Sequence, residues 1–146
     1  MRTFRLAAAL LAAFLTACAA GATTTTLHVV EHADTDVVGD VAPEGDSVGD
    51  VLGFANPVFD ENNSQQVGTD NGACVRTAVG SAWECVWTLS LSDGQITVEG
   101  PFLDAGDSVL AITGGSGAYA QARGEMKLHA RNAAGSEFDF TYTIVK

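Results

Sequence analysis

The chain has 146 residues, with 7 Lys and Arg against 18 Asp and Glu and a formal net charge of −11. That length builds one domain, and so acidic a chain has no basic run to neutralise nucleic-acid phosphates or to dock on an anionic membrane. With 47% hydrophobic and only 17% charged residues, it is too apolar for disorder and calls for a packed core.

Arg2 and Arg5 precede LAAALLAAFL at residues 6–15, an apolar run too short for a bilayer span and of the length of a signal-peptide core. Leu15-Thr16-Ala17-Cys18 follows and has the form of a bacterial lipobox, in which the cysteine is acylated and becomes the new N-terminus. The plainer alternative is a secretion signal cut nearby after small residues. The lipobox reading expects a removed signal peptide at 1–17, a lipidated tether at 18–26 and a folded body at 27–146. It places the protein in a bacterial cell envelope, touching the membrane only through lipid on Cys18; the plainer reading gives a soluble secreted protein. Export leaves Cys74 and Cys85 as an even pair in an oxidising compartment.

Beyond that segment no window holds helical periodicity, and alternation with period two predicts eight strands. They fall at residues 25–33, 50–59, 72–79, 83–90, 95–100, 108–113, 123–131 and 137–145. In the last, Phe138, Phe140, Tyr142 and Ile144 share one face, with Glu137, Asp139, Thr141 and Thr143 on the other. Residues 34–48, rich in Asp, Gly and Pro, read as a solvated acidic loop rather than a lid. A short turn over 79–82 sets Cys74 and Cys85 roughly opposite each other; a cross-strand disulfide forms there if the pair is a closely spaced one. Asp93-Gly94 marks a hairpin. Gly114-Gly115-Ser116-Gly117 reads as a loop between strands, with no lysine or helix after it to make a phosphate cradle. Eight antiparallel strands predict an all-β, closed eight-stranded barrel of one domain, with a β-sandwich as the alternative.

Two polar residues fall on apolar faces. Glu31 shares its face with Leu27, Val29 and Ala33, and Asn56 shares its face with Leu52, Phe54 and Val58. A buried carboxylate is costly unless paired, and burial raises its pKa. An acid and an amide among apolar walls form either a ligand site or a structural hydrogen bond closing the barrel end. His28, His32 and His129 read as surface residues, and no Cys/His cluster has metal spacing, so neither metal nor cofactor is expected. The absence of a Gly-x-Ser-x-Gly motif leaves a serine hydrolase without support.

Four stretches carry a family resemblance. Residues 49–56 (GDVLGFAN), 72–74 (GAC), 98–103 (VEGPFL) and 110–117 (LAITGGSG) stand in the order and spacing of allene oxide cyclases, and residues 111–124 also resemble dirigent proteins of the same barrel. The resemblance implies an isomerase or cyclase that closes a ring in a hydrophobic small molecule inside the barrel. It assigns Glu31 to charge stabilisation at the reacting centre and Asn56 to holding a water. Leu52, Phe54, Cys74, Trp83 and Phe102 become substrate-lining wall positions, and a trimer is implied. The chain departs from the pattern at Ala33, where a second Asn is expected, and at Phe102, where the family has Tyr. The Ser-Pro pair that helps hold the water has no clear match in 34–41. A non-catalytic, dirigent-like or ligand-binding barrel of the envelope is the alternative function.

Overall fold

Alternating side chains, punctuated by short polar turns, give nine strands and, among the described residues, no helix. A computed structural model describes residues 21–146. The signal peptide expected at 1–17 and the lipid site expected at Cys18 lie outside the described residues. The strands are β1 Thr24–His32, β2 Val37–Gly39, β3 Val51–Phe59, β4 Gln66–Ala78, β5 Ala82–Leu91, β6 Gly94–Leu103, β7 Ser108–Gly117, β8 Arg123–Ala130 and β9 Glu137–Val145.

From β3 to β9 each strand pairs antiparallel with the next, and β9 pairs with β1. The ring closes where β1 meets β3 at Val30↔Phe59 and Glu31↔Val58. The architecture is therefore the expected eight-stranded closed barrel, not a sandwich, with β2 as an extra strand. β2 lies along Val51–Gly53 of β3, on the edge that β1 takes further along. Between those contacts Thr35 fills the gap, and its hydroxyl accepts the Ala55 N–H at 2.8 Å.

Three sequence expectations change. The Gly114–Gly117 stretch is the end of β7, paired with β6 from Gly94 to Thr97; glycine reads as loop in isolation, but here the ladder holds it extended. The 34–48 segment is solvent-exposed as expected apart from Ser47, but it is not all loop: it contains β2, and its exposed Thr35 and Asp36 hydrogen-bond the buried Asn56. Thr24–Thr26, counted as tether, belong to β1 and pair with Thr143–Val145 of β9.

Inward side chains fill the lumen by halves. Towards the end where β1 begins and β9 finishes, Leu89, Ile96, Val98, Met126 and Tyr142 are wholly buried and plug the cylinder. At the opposite end the lumen stays partly open, and there the polar residues gather.

Candidate functional site

Glu31 of β1, Asn56 of β3 and Asp70 of β4 point into the barrel with 5%, 0% and 0% exposure. Parity placed the first two inside. Asp70 is the direct cross-strand partner of Asn56, and the Asn56 amide ties the group together. Its Nδ2 donates to Glu31 Oε1 at 2.6 Å and to Asp36 Oδ1 at 2.8 Å. Its Oδ1 accepts the Thr35 N–H and the Thr35 hydroxyl, each at 2.9 Å. Both amide hydrogens and the carbonyl are thereby used within the protein. Asn56 orients Glu31 and pins the loop after β1; it has no arm left for the water-holding role that the resemblance assigned to it.

Asp70 faces Glu31, and neither of its oxygens has a donor within hydrogen-bond distance. Two carboxylates cannot satisfy each other unless one carries a proton. Burial, then the Glu31 charge, pushes the Asp70 carboxyl up to about 9. Burial pushes Glu31 up to about 7, against the Asn56 hydrogen bond and with the charge of Asp36. Near neutral pH the two facing acids therefore share a proton, since burial and mutual repulsion raise both. Beneath them the Tyr142 phenol is raised by burial and by the Asp70 charge.

Above the acids lies a cavity of about 40 Å³ lined by Glu31, Asp36, Leu52, Phe54, Cys74, Cys85, Trp87, Phe102, Leu128, Phe138 and Phe140. One water occupies roughly 10–15 Å³ on this measure, so the resting cavity takes about three. Half-buried Leu52, Phe54 and Phe102 stand at its mouth. The aromatic walls meet edge-on or tilted: Phe54 on Trp87 at 6.0 Å, Trp87 on Phe140 at 5.6 Å and Phe102 on Phe138 at 6.0 Å. Gly72 on β4 makes this packing fit, because a Cβ there would strike Trp87, the Val86 carbonyl and Phe54.

Cys74 and Cys85 are direct cross-strand partners with Cα atoms 4.0 Å apart and are bonded as a disulfide. The bridge forms part of the cavity wall, so Cys74 lines the site without presenting a thiol. Leu52, Phe54 and Phe102 line it as expected. Trp83 does not: it is buried beside the lumen under the Arg76 guanidinium, 4.1 Å from the ring centroid. His28, His32 and His129 bond Asp139, Asn63 and Asp107 at 2.8, 2.7 and 2.6 Å, away from the cavity.

Sequence reasoning missed Asp70 and Asp36. The signal for Asp70 was available: counting back in twos from Cys74 reaches it, but the predicted strand began at 72, two residues too late. Asp36 carried no such signal, since its position depends on the loop being pinned by Asn56.

Fold and site define a class of closed β-barrels whose ionisable groups stand inside the cylinder, in an aromatic lumen. Residues 26–142 match the family model described as allene oxide cyclase, and the chain belongs to that family. Among solved structures, a pyocyanin demethylase superposes with a TM-score of 0.73 at 27% identity, covering 84% of this chain and 100% of that one. A pterocarpan synthase dirigent protein gives 0.69 at 20% identity over 92% of this chain and 95% of that one. An exo-specific intermolecular Diels-Alderase gives 0.69 at 13% over 86% and 99%. The last two likenesses concern the fold.

Proposed function

We propose that this chain is an isomerase or cyclase that converts a hydrophobic small molecule inside the barrel, with Glu31 as the proton-exchanging residue and Asp70 as its proton-bearing partner. The observation that carries the reading is the carboxyl pair. A general acid or base is most effective when its pKa lies near the working pH, and the pushed-up Glu31 meets that condition at the floor of a water-poor cavity. The aromatic walls hold one conformer of the ligand over the acid, which contributes through orientation. The working location is the cell envelope, from the lipobox form of residues 15–18.

The test presents the purified protein with three substrates that match its family and structural neighbours: a fatty-acid allene oxide, a diene–dienophile pair and pyocyanin. Turnover of at least one is expected, falling by about 10²–10⁴-fold in Glu31→Gln. Retention of a ligand with no turnover of any would favour the second reading, a non-catalytic dirigent-like barrel. The small resting cavity is the observation that supports that alternative.

A further inference from the structure

We propose that the cavity selects planar aromatic molecules that are neutral or positively charged and rejects those that must bring a carboxylate inside. This deepens the function just proposed and rests on its reading of the cavity as the site.

The only charged groups lining the cavity are acids, Glu31 at the floor and Asp36 at the rim. Among the described residues, the Arg and Lys side chains near that end of the barrel are already matched, and His32, the nearest imidazole to Glu31, is bonded to Asn63 at 2.7 Å. Arg76 is buried between Asp46, at 2.6 Å, and Asp104, at 2.7 Å, with its guanidinium stacked over Trp83. Lys127 pairs with Asp107 at 2.7 Å, and Arg131 with Asp139 at 2.8 Å. The remaining described cations, Arg123 and Lys146, flank the opposite end, at the start of β8 and after β9. Donors inside are few and neutral. The Asn56 amide is fully engaged, the strand N–H groups around the lumen are used in the ladders, and the Trp87 indole N–H and the Tyr142 hydroxyl are the buried lumen donors left without a partner.

A ligand carboxylate entering this cavity would lose its hydration and meet Glu31 and Asp36 with no cation and only the neutral Trp87 indole N–H to receive it, which is strongly unfavourable. A cation meets the opposite conditions. The carboxylates attract it, and the ring faces of Trp87, Phe102 and Phe140 offer cation–π contact. The preference for an aromatic ligand follows from the walls, whose rings meet edge-on or tilted and offer the same contacts to a further ring. The overall charge of −11 acts in the same direction on the approaching ligand.

The experiment uses three bicyclic probes of one shape and differing charge: N-methylquinolinium, quinoline and quinoline-2-carboxylate. Each is titrated into the intact protein by calorimetry near pH 7.5 at low salt. The expected order is cation, then neutral, then anion, with roughly tenfold between steps. Asp36→Asn, at the exposed rim, should cut the cation's advantage over quinoline several-fold, read as the ratio of the two affinities; an unchanged ratio overturns the inference. Quinoline must displace the bound cation; a cation that is not displaced sits on the acidic outer surface and overturns the inference. Equal or tighter binding of the carboxylate also overturns it, as does failure of all three to bind. These results are separable from the function test. Charge selection without turnover of any substrate sinks only the catalytic reading, and Glu31-dependent turnover without charge selection sinks only the ligand class.

Discussion

Asp70→Asn removes the proton-bearing member of the acid pair without changing its shape. In the unfolded chain an Asp titrates near 3.9; in the barrel, burial and the Glu31 charge push Asp70 up to about 9. Folding at neutral pH therefore takes up a proton at this site. Because the folded pKa is the higher one, the stability that Asp70 supports is complete below about pH 4 and is lost as pH rises towards 9. One proton held by the acid pair corresponds to a slope of roughly 1.4 kcal/mol per pH unit, so between pH 5 and 8 the pair costs the fold on the order of several kcal/mol. Against a typical domain stability of about 5–15 kcal/mol that is a large fraction. Glu31, also raised, adds a second slope that ends near 7. Urea unfolding followed by fluorescence of Trp83 and Trp87, with the disulfide intact, measures both proteins at several pH values. The variant should match wild type near pH 4 and become progressively more stable than it towards pH 8. Parallel pH curves for the two proteins would refute the assignment of a neutral acid at Asp70.

Three further outcomes follow from the same packing. Asn56→Ala removes four hydrogen bonds to Glu31, Asp36 and Thr35; it should cost roughly 2–3 kcal/mol and speed proteolytic nicking within 33–50, read by mass spectrometry. Arg76→Met leaves Asp46 and Asp104 facing each other at the barrel mouth and should cost about 3 kcal/mol at low salt, less in the double variant that also carries Asp104→Asn, a difference seen in denaturant midpoints. Reducing Cys74–Cys85, which closes a loop of sequence separation 11, should cost roughly 3 kcal/mol, measured as a lowered thermal midpoint that returns on reoxidation.

Period-two alternation was enough to read the barrel because each strand has one face in the lumen and one in solvent, as in β9, where buried Phe138, Phe140, Tyr142 and Ile144 alternate with half-buried neighbours. The same rule exposed Glu31 and Asn56, since a polar residue out of phase is visible without any structure. It failed where residue type and pairing disagree. Gly114–Gly117 has no side-chain pattern to read, yet its backbone completes the β6–β7 ladder. Asp70 was lost with the strand boundary, since its neighbours Gly68, Asn71 and Gly72 look like a turn. Asp36 and Thr35 lay beyond reach, because their place is set by hydrogen bonds to a residue 20 or 21 positions away. Trp83 shared the parity of Cys85 and Trp87, but parity cannot tell depth along the barrel, and Arg76 covers it instead of a ligand.

The acid pair keeps its raised pKa because of what lies beneath it. Tyr142, Leu89 and Met126 are wholly buried and fill the lumen below the acids, while the cavity above Glu31 is bounded by half-buried Phe54 and Phe102. A collapsing core would relieve the cost by letting a polar group swing outward, but a closed barrel fixes every Cα in its ladder, and Glu31, Asn56 and Asp70 are held on the neighbouring strands β1, β3 and β4. The fold thus bears a charge–desolvation penalty that most domains would shed. In the same step it gives Glu31 a proton affinity suited to neutral pH. The protonated Asp70 and the Asn56 amide hold that carboxyl in place, while the mouth-side half of the cavity remains apolar and adjustable. The division of labour is physical: the rigid layer sets the acid, and the half-buried rings above it set what can reach it.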